Sequence, residues 1–234
     1  MRYAVPNLLT GTSFTFALGA IVRAELGQLE RAAWLIVWCV LLDVADGIVA
    51  RLLKATSRFG AEFDSFADLV AFGLAPAALV LHFTWQYYDG IASGWIAAAC
   101  GSYALLAALR LARFNTIAPV RAGWFRGVPT TACGALLATG VILLVRHESS
   151  VAALNWPVYL SLIITALGLA MISSLRFPKL ALASNWLLNI PHLANILGLY
   201  VCGVLRIWPE YLFACAVLVV CAGVTAGILS RPQG

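Results

Sequence analysis

The sequence predicts an all-α, polytopic membrane protein with about eight transmembrane helices. Its composition is the first reason: 62% of the 234 residues are apolar, only 11% are charged and the mean hydropathy is +0.93, which excludes an ordinary soluble domain. The second reason is a set of eight apolar runs, each near the ~20 residues that a membrane-spanning helix needs. These runs are residues 6–25, 32–53, 66–88, 92–114, 128–146, 155–175, 184–206 and 209–229.

Two of the runs have distinctive beginnings. The first contains no small-residue cleavage site and starts with Pro6, a residue suited to the first turn of a helix, so we expect a retained helix and not a signal peptide. The seventh, 184–206, has a polar first half that contains Asn189 and Pro191, so it either spans the membrane or lies partly along its surface. No long linker interrupts the chain, and we expect residues 1–234 to form a single membrane domain.

Lysine and arginine are distributed unevenly over the loops between the runs. With eight spans and a cytoplasmic N-terminus, eleven of these residues fall on the cytoplasmic side and four fall outside. The positive-inside rule therefore predicts cytoplasmic N- and C-termini in a multi-pass protein of the plasma or inner membrane. The net charge of +5 follows from this topology, with some attraction to anionic membrane lipid, and it gives no reason to propose a nucleic-acid partner.

Four of the five aspartates lie within residues 43–68, where the second run gives way to the third. They are Asp43, Asp46, Asp64 and Asp68. A carboxylate at membrane depth costs roughly 2.5–3.5 kcal/mol on insertion scales, so such residues indicate a functional site. The first two are spaced i, i+3 and the last two i, i+4, so each pair lies on one face of a helix. If the two helices form a hairpin about the turn near residues 54–60, these faces can meet near the cytoplasmic side.

Four converging carboxylates repel one another unless cations neutralise them. All-oxygen ligation suits hard divalent cations, above all Mg²⁺ or Mn²⁺, and four acids are enough to hold two of them. Two such ions are the usual arrangement for in-line displacement at phosphorus. Intramembrane aspartates also serve proton or cation pathways, so a cation- or proton-coupled transporter is the alternative from a different class. The tight clustering of the acids near one face is evidence against that alternative.

The pattern D-x-x-D-G-x-x-A-R-x(8)-G-x(3)-D-x(3)-D is complete between residues 43 and 68. It resembles the signature of the CDP-alcohol phosphotransferases, integral membrane enzymes that make phospholipid head groups. The resemblance implies a six-helix core within residues 1–180, followed by a C-terminal helical pair within residues 181–234. It also implies that an alcohol hydroxyl attacks the lipid-proximal phosphorus of a CDP-activated lipid and releases CMP. Dimers are common in the family, so a homodimer is an additional expectation.

The resemblance implies roles for the residues of the signature. The aspartates at positions 43, 46 and 64 match metal ligands of the family, and Asp68 matches a ligand that also takes the proton from the attacking hydroxyl. The expected CDP-lipid-binding residues are Asn7, Thr10, Gly47, Ala50, Arg51 and Gly60. The small residues among them let a nucleotide approach the helix backbone, and the planar guanidinium of Arg51 suits a pyrophosphate oxygen. For Asn7 and Thr10 the alternative is that they only cap and solvate the start of the first helix.

The acceptor alcohol is indicated by stretches outside the signature. FGAEFDSFADLVAFGLAPA (59–77), RLARFN (110–115), FRGVP (125–129) and SSLRFPKL (173–180) resemble the integral-membrane phosphatidylserine synthases. This resemblance implies L-serine as the acceptor, with CDP-diacylglycerol or an ether-lipid equivalent such as CDP-archaeol as the donor. A sister enzyme that uses glycerol 3-phosphate or inositol phosphate is the alternative.

A zwitterionic amino acid brings a carboxylate, which favours a guanidinium partner. Arg110 and Arg113 stand i, i+3 at the end of the fourth run, and Ser65 and Asn115 could add hydrogen bonds, so we expect these four residues to bind serine. The alternative for the arginines is that they anchor a helix end at the headgroup layer, and phosphorylated acceptors would also favour cationic residues. Glu62 lies one turn from the aspartates but outside the pattern, as a solvated turn residue or a partner of the site.

Overall fold

The computed structural model describes residues 4–53, 57–88, 93–116, 124–147, 156–178 and 186–229, and this part of the chain is almost entirely helical. The helices are α1 (Ala4–Glu25), α2 (Leu29–Leu52), α3 (Arg58–Asp68), α4 (Ala75–Tyr87), α5 (Ser93–Thr116), α6 (Thr130–Arg146), α7 (Trp156–Ile172), α8 (Trp186–Leu205) and α9 (Pro209–Leu229). A π-helical segment, Leu69–Leu74, joins α3 to α4, so that the two form one 30-residue span. Eight helical stretches therefore correspond to the eight predicted runs.

The lengths and composition of these helices confirm a polytopic membrane protein. Five stretches are long and apolar enough to cross a bilayer: Val5–Glu25, Leu29–Ala50, Arg58–Tyr87, Gly94–Thr116 and Pro209–Leu229. Three apolar helices are shorter, namely Thr130–Arg146, Trp156–Ile172 and Leu193–Leu205. The last of these is the apolar part of α8 beyond Pro191. At 1.5 Å per residue it extends about 20 Å, which is less than the ~30 Å of a hydrocarbon core.

Small residues bring α1 and α2 together as an antiparallel hairpin. Buried alanines line the contact, where they allow the two backbones to approach closely. They are Ala17, Ala20, Ala24, Ala32 and Ala33. The turn between the helices is a Schellman motif. In this turn Gly27 has a φ of +73°, its N–H donates to Ala24 O at 3.0 Å, and the N–H of Gln28 donates to Arg23 O at 2.8 Å.

The π-helical segment lies at the centre of the bundle, where α5 and α6 pack against it. The buried Tyr103 hydroxyl of α5 donates to the carbonyl of Phe72 at 2.8 Å. From α6, Gly134 approaches the same residue so closely that an added Cβ would lie 3.0 Å from its ring. Since this segment directly follows Asp68, these contacts hold in place the part of the span that carries the third and fourth aspartates.

A short antiparallel ribbon adds to the helical architecture that the sequence predicts. Strands β1 (Trp124–Arg126) and β2 (Arg176–Pro178) pair with Phe125 opposite Phe177. After β1 the chain turns at Gly127, whose φ is +71° and whose N–H donates to Leu175 O at 2.8 Å. The ribbon therefore joins the beginning of α6 to the end of α7. Both strands overlap stretches on which the predicted resemblance to serine-specific enzymes rests.

The two C-terminal helices pack against the ribbon and against α2. On α9, Gly223 lies directly against the ring of Phe177. On α8, the carbonyl of Gly203 accepts a hydrogen bond from Trp38 Nε1 at 3.0 Å, and the Tyr200 hydroxyl donates to Leu41 O at 2.7 Å. The C-terminal pair is thus in contact with the helix that carries the first two aspartates. The division into a core, 1–180, and a pair, 181–234, stays a prediction.

The turn at Gly127 provides a stability prediction. In Gly127→Ala the new Cβ would collide with the carbonyl oxygen of Met171, and alanine is disfavoured at a positive φ. We expect a loss on the order of 2–3 kcal/mol of stability, seen as a lower midpoint in thermal unfolding of the detergent-solubilised protein. Gly101→Ala in α5 is the control, because no atom lies within 4 Å of its added Cβ. Equal midpoints for the two variants would contradict the close contact.

Candidate active site

The candidate site lies between the C-terminal half of α2 and the C-terminal half of α3. Asp43 and Asp46 are one turn apart on α2, and Asp64 and Asp68 are one turn apart on α3. Ser57 fixes the start of α3 as its N-cap, since its Oγ accepts a hydrogen bond from the N–H of Gly60 at 3.0 Å. This cap sets the rotation of the first turns and therefore the face on which the two α3 aspartates lie.

Three of the four aspartates come together in one cluster. Asp43, Asp64 and Asp68 each place a carboxylate oxygen within 4.8 Å of the other two. Asp46 lies outside this group of three and is buried, with 7% of its surface exposed. Its Oδ2 accepts a hydrogen bond from the hydroxyl of Thr10 on α1 at 3.0 Å. The packing of α2 and α3 thus brings one aspartate of the α2 pair together with both aspartates of the α3 pair, and the place of Asp46 in the same site stays a prediction.

The cluster fits a divalent metal ion. Its donor atoms are all carboxylate oxygens, the ligands that hard cations prefer. Ligand oxygens on opposite sides of an ion bound at about 2.1 Å lie about 4.2 Å apart, close to the spread in this cluster. Among the described residues, none of the four aspartates forms an ion pair. The ion pair found in this part of the chain joins Arg146 to Glu30 at 2.6 Å, near the opposite end of α2. A bound cation would neutralise a repulsion that no described ion pair relieves.

Two threonines hold aspartates of the site from separate helices. Thr131 on α6 donates from Oγ1 to Asp43 Oδ2 at 3.2 Å, and Thr10 holds Asp46 from α1. Hydrogen bonds of this kind orient carboxylate ligands and tune metal affinity. The role of Thr131 was not predicted from the sequence. The signal that could have identified it is its position two residues after the FRGVP stretch, at the start of a helix.

Arg110 is buried beside the cluster. It is 8% exposed, its Nη1 donates to Thr130 Oγ1 at 3.3 Å, and its charge interacts with that of Asp68. Its Nε is buried and has no hydrogen-bond partner among the described residues. A buried donor of this kind is costly unless a further acceptor reaches it. The site therefore contains a buried guanidinium with one donor that no described residue satisfies.

Arg113, one turn further along α5, makes different contacts. Its Nη1 donates to Ile172 O at 2.7 Å and its Nη2 to Ser173 O at 3.1 Å. These carbonyls end α7, so the guanidinium acts as a C-terminal cap of that helix. Both η nitrogens are engaged with backbone, and the predicted contact of Arg113 with serine stays a prediction.

The other two predicted serine-binding residues meet between α3 and α5. The amide of Asn115 donates from Nδ2 to Ser65 Oγ at 3.0 Å and lies 3.3 Å from Glu62 Oε2. Glu62 is exposed, and Ser65 is half-buried. This polar group of three lies on the flank of α3 that also carries Asp68, since positions 65 and 68 are one turn apart.

The predicted CDP-lipid-binding residues surround the aspartate cluster without forming one contact set. An added Cβ at Gly47 would have no atom within 4 Å, so the α2 backbone is open there. Gly60 approaches Asn7 of α1, whose Oδ1 would lie 3.2 Å from its added Cβ. Ala50 is partly exposed on α2, and the side chain of Arg51 lies outside the described residues. The assignment of these residues to the lipid nucleotide stays a prediction.

Comparison with known proteins gives the family. The family model described as CDP-alcohol phosphatidyltransferase matches residues 3–224 of this chain. The chain belongs to this family. Among the relatives of this phosphatidyltransferase is the CDP-diacylglycerol–serine O-phosphatidyltransferase of Helicobacter pylori, 37% identical over 179 residues, or 76% of this chain and 73% of the relative. Proteins of the same name from Bacillus subtilis and Methanocaldococcus jannaschii are 33% and 32% identical, over 76% of this chain and 91% and 78% of their own lengths.

The hydrogen bond between Thr131 and Asp43 predicts a change in metal affinity. Thr131→Val removes the hydroxyl and keeps the shape, so Asp43 loses a contact that orients it. We expect Mn²⁺ affinity, measured by electron paramagnetic resonance on the detergent-solubilised protein, to fall roughly tenfold.

Thr131→Ser should recover most of the affinity, because it keeps the hydroxyl. Thr139→Val on the same helix is the control, since that hydroxyl donates to its own backbone at Ala135 O. Unchanged Mn²⁺ affinity in Thr131→Val would show that the hydrogen bond does not position the aspartate.

Proposed function

We propose that this chain transfers the phosphatidyl group of CDP-diacylglycerol to the hydroxyl of L-serine, giving phosphatidylserine and CMP. The carboxylate cluster of α2 and α3 is the observation that carries the proposal, together with relatives named for this reaction. A bond forms between the serine oxygen and the lipid-proximal phosphorus, and the bond from that phosphorus to the bridging oxygen of CMP breaks. The proton of the hydroxyl goes to an aspartate of the site. CDP-archaeol, the ether-lipid equivalent, presents the same phosphorus to the same groups.

The proposed cofactors are two divalent cations, Mg²⁺ or Mn²⁺, held by Asp43, Asp46, Asp64 and Asp68. Bound cations supply neutralisation of the pyrophosphate charge and of the charge that develops on the departing CMP. The protein's part is to hold the carboxylates in position. Thr10 and Thr131 do so for the two α2 aspartates, and the Ser57 cap sets the rotation of the two on α3.

Asp68 is the proposed proton acceptor. A general base must lie within about 3 Å of the hydroxyl that it deprotonates. Asp68 suits this role because it belongs to the metal cluster and is also near the polar groups proposed for serine. It shares the cluster with Asp43 and Asp64, it lies one turn from Ser65 on α3, and its charge interacts with that of Arg110.

The proposed serine site is built on α5 and α3. Arg110 is assigned to the serine carboxylate because its Nε has no partner among the residues that the structure describes and because it lies beside Asp68. Arg113 is a weaker candidate, since backbone carbonyls engage both its η nitrogens. Ser65 and Asn115 would complete the site with hydrogen bonds.

The donor lipid is proposed to lie along the open face of α2. Gly47 leaves space beside the aspartates, and the other nucleotide contacts would come from Asn7, Thr10, Ala50 and Gly60, with Arg51 on the pyrophosphate. The excess of lysine and arginine at this end of the helices supports an active site that faces the cytoplasm. The homodimer stays an expectation from the family.

An acceptor assay tests the reaction. We expect the purified protein to release CMP from CDP-diacylglycerol with L-serine and Mn²⁺ or Mg²⁺, and to lose this activity when a chelator is added. Asp43→Ala and Asp64→Ala should abolish release while leaving the protein folded, because each removes a carboxylate of the cluster. Glu25→Gln, an exposed glutamate at the end of α1 away from the cluster, is the control and should retain wild-type rates.

The choice of acceptor separates the remaining alternatives. CMP release with glycerol 3-phosphate or inositol phosphate, and none with serine, would indicate the sister enzyme. A folded, metal-supplemented protein that releases no CMP with any acceptor would contradict the reaction itself.

The two arginines of α5 should differ in kinetics. We expect Arg110→Ala to raise the KM for serine about tenfold and the KM for CDP-diacylglycerol less than twofold, because its side chain is assigned to the amino acid alone. Arg113→Ala should mainly lower the thermal midpoint, because it removes the cap of α7. Equal increases of both KM values in Arg110→Ala would show that the assignment to serine is wrong.

A further inference from the structure

We propose that Glu62 binds the ammonium group of the amino-acid acceptor and thereby selects serine over phosphorylated alcohols. The inference rests on the proposed function, since it assigns a subsite to the acceptor named there. It starts from the polar group between α3 and α5, in which the Asn115 amide bridges Ser65 Oγ at 3.0 Å and Glu62 Oε2 at 3.3 Å.

A zwitterion presents a cationic group that the aspartates are poorly suited to bind. An ammonium at the cluster would compete with the metal for the same oxygens, so a carboxylate outside the cluster is needed. Among the described residues, Glu62 is the remaining acid at this end of the helices. The other described glutamates lie at the opposite end, with Glu25 at the end of α1, Glu30 at the start of α2 and Glu210 at the start of α9.

The position of Glu62 suits the geometry of a serine whose hydroxyl points at Asp68. Glu62 precedes Asp68 by six residues, about 9 Å along the axis of α3, and Ser65 lies midway between them. A serine that donates its hydroxyl to Asp68 can therefore extend its ammonium past Ser65 towards Glu62. The Asn115 amide holds one oxygen of Glu62. The carboxylate is solvent-exposed and has further lone pairs for an ammonium donor.

Charges of opposite sign then lie at two different depths near the proposed base. The buried Arg110 lies deeper along α5, and Asn115, which holds Glu62, is five residues nearer the end of that helix, about 7.5 Å along the axis. A cation at one depth and an anion at the other match the carboxylate and the ammonium of an amino acid.

The same arrangement disfavours the competing acceptors. Glycerol 3-phosphate and inositol phosphate carry phosphate charge and no cationic group, so the Glu62 carboxylate would repel them where it attracts serine. Selectivity of this kind combines an attractive contact with the right ligand and a repulsive one with the wrong ligand. Arg110 alone would not discriminate, since a guanidinium also binds phosphate.

The test compares serine with 3-hydroxypropionate, which has the same hydroxyl and carboxylate but no ammonium. In CMP-release assays with CDP-diacylglycerol and Mn²⁺, we expect Glu62→Gln to raise the KM for L-serine about tenfold. The KM for CDP-diacylglycerol should stay within twofold. The inhibition constant of 3-hydroxypropionate should stay the same or fall, so that the preference for the amino acid is lost. Glu62→Asp, which keeps the charge, should recover part of the preference.

Glu25→Gln is the matched control, because it makes the same chemical change on an exposed glutamate at the opposite end of the helices, and it should leave both constants unchanged. Thermal midpoints establish that each variant is folded. An unchanged ratio of serine KM to 3-hydroxypropionate inhibition constant in Glu62→Gln would overturn the ammonium subsite while the proposed reaction stands. A wild-type protein that releases no CMP with serine would overturn both.

Discussion

Repulsion among carboxylates held on two adjacent helices is the constraint on which the rest of the structure depends. Water cannot screen these charges well within a helical bundle, so each acid needs a partner from the protein or from a bound cation. Neighbouring helices provide some of these partners. Thr10 reaches Asp46 from α1, Thr131 reaches Asp43 from α6, and the charge of Arg110 on α5 lies near Asp68. The cluster is thus supported from three helices beyond the two that carry it.

The ribbon and the C-terminal helices extend this support. The position of Thr131 depends on where α6 begins, and α6 begins directly after the turn at Gly127. That turn is bonded to the end of α7, which Arg113 caps, while α9 packs against the ribbon through Gly223. A contact at the end of α7, about forty residues from Thr131 in the chain, therefore helps to place a hydroxyl on a carboxylate of the aspartate cluster. Residues of the ribbon and of the C-terminal helices contribute to the site through position and not through chemistry.

The sequence predicts the parts of the structure that follow from a local pattern. Apolar run length predicts the helices, and the i, i+3 and i, i+4 spacings predict two carboxylate faces that meet. The ribbon could not be predicted, because its strands have three residues each and show no alternation long enough to distinguish them from loops. The contacts of Arg113 could not be predicted from the sequence either. Its acceptors are backbone carbonyls, which every residue has, so only the fold shows which arginine they engage.

The π-helical segment between Asp68 and Ala75 has a consequence for how this span is represented. A π turn holds more residues than an α turn, so the chain after it is rotated relative to a uniform α-helix, by about 100° for each extra residue. The helical face that carries the carboxylates in α3 therefore does not continue as the same face in α4. A single helical wheel drawn for residues 58–87 would align one half correctly and misplace the other. The third span is better drawn as two helical wheels. One covers residues 58–68, which carry the aspartates, and the other covers residues 75–87, which pack in the core.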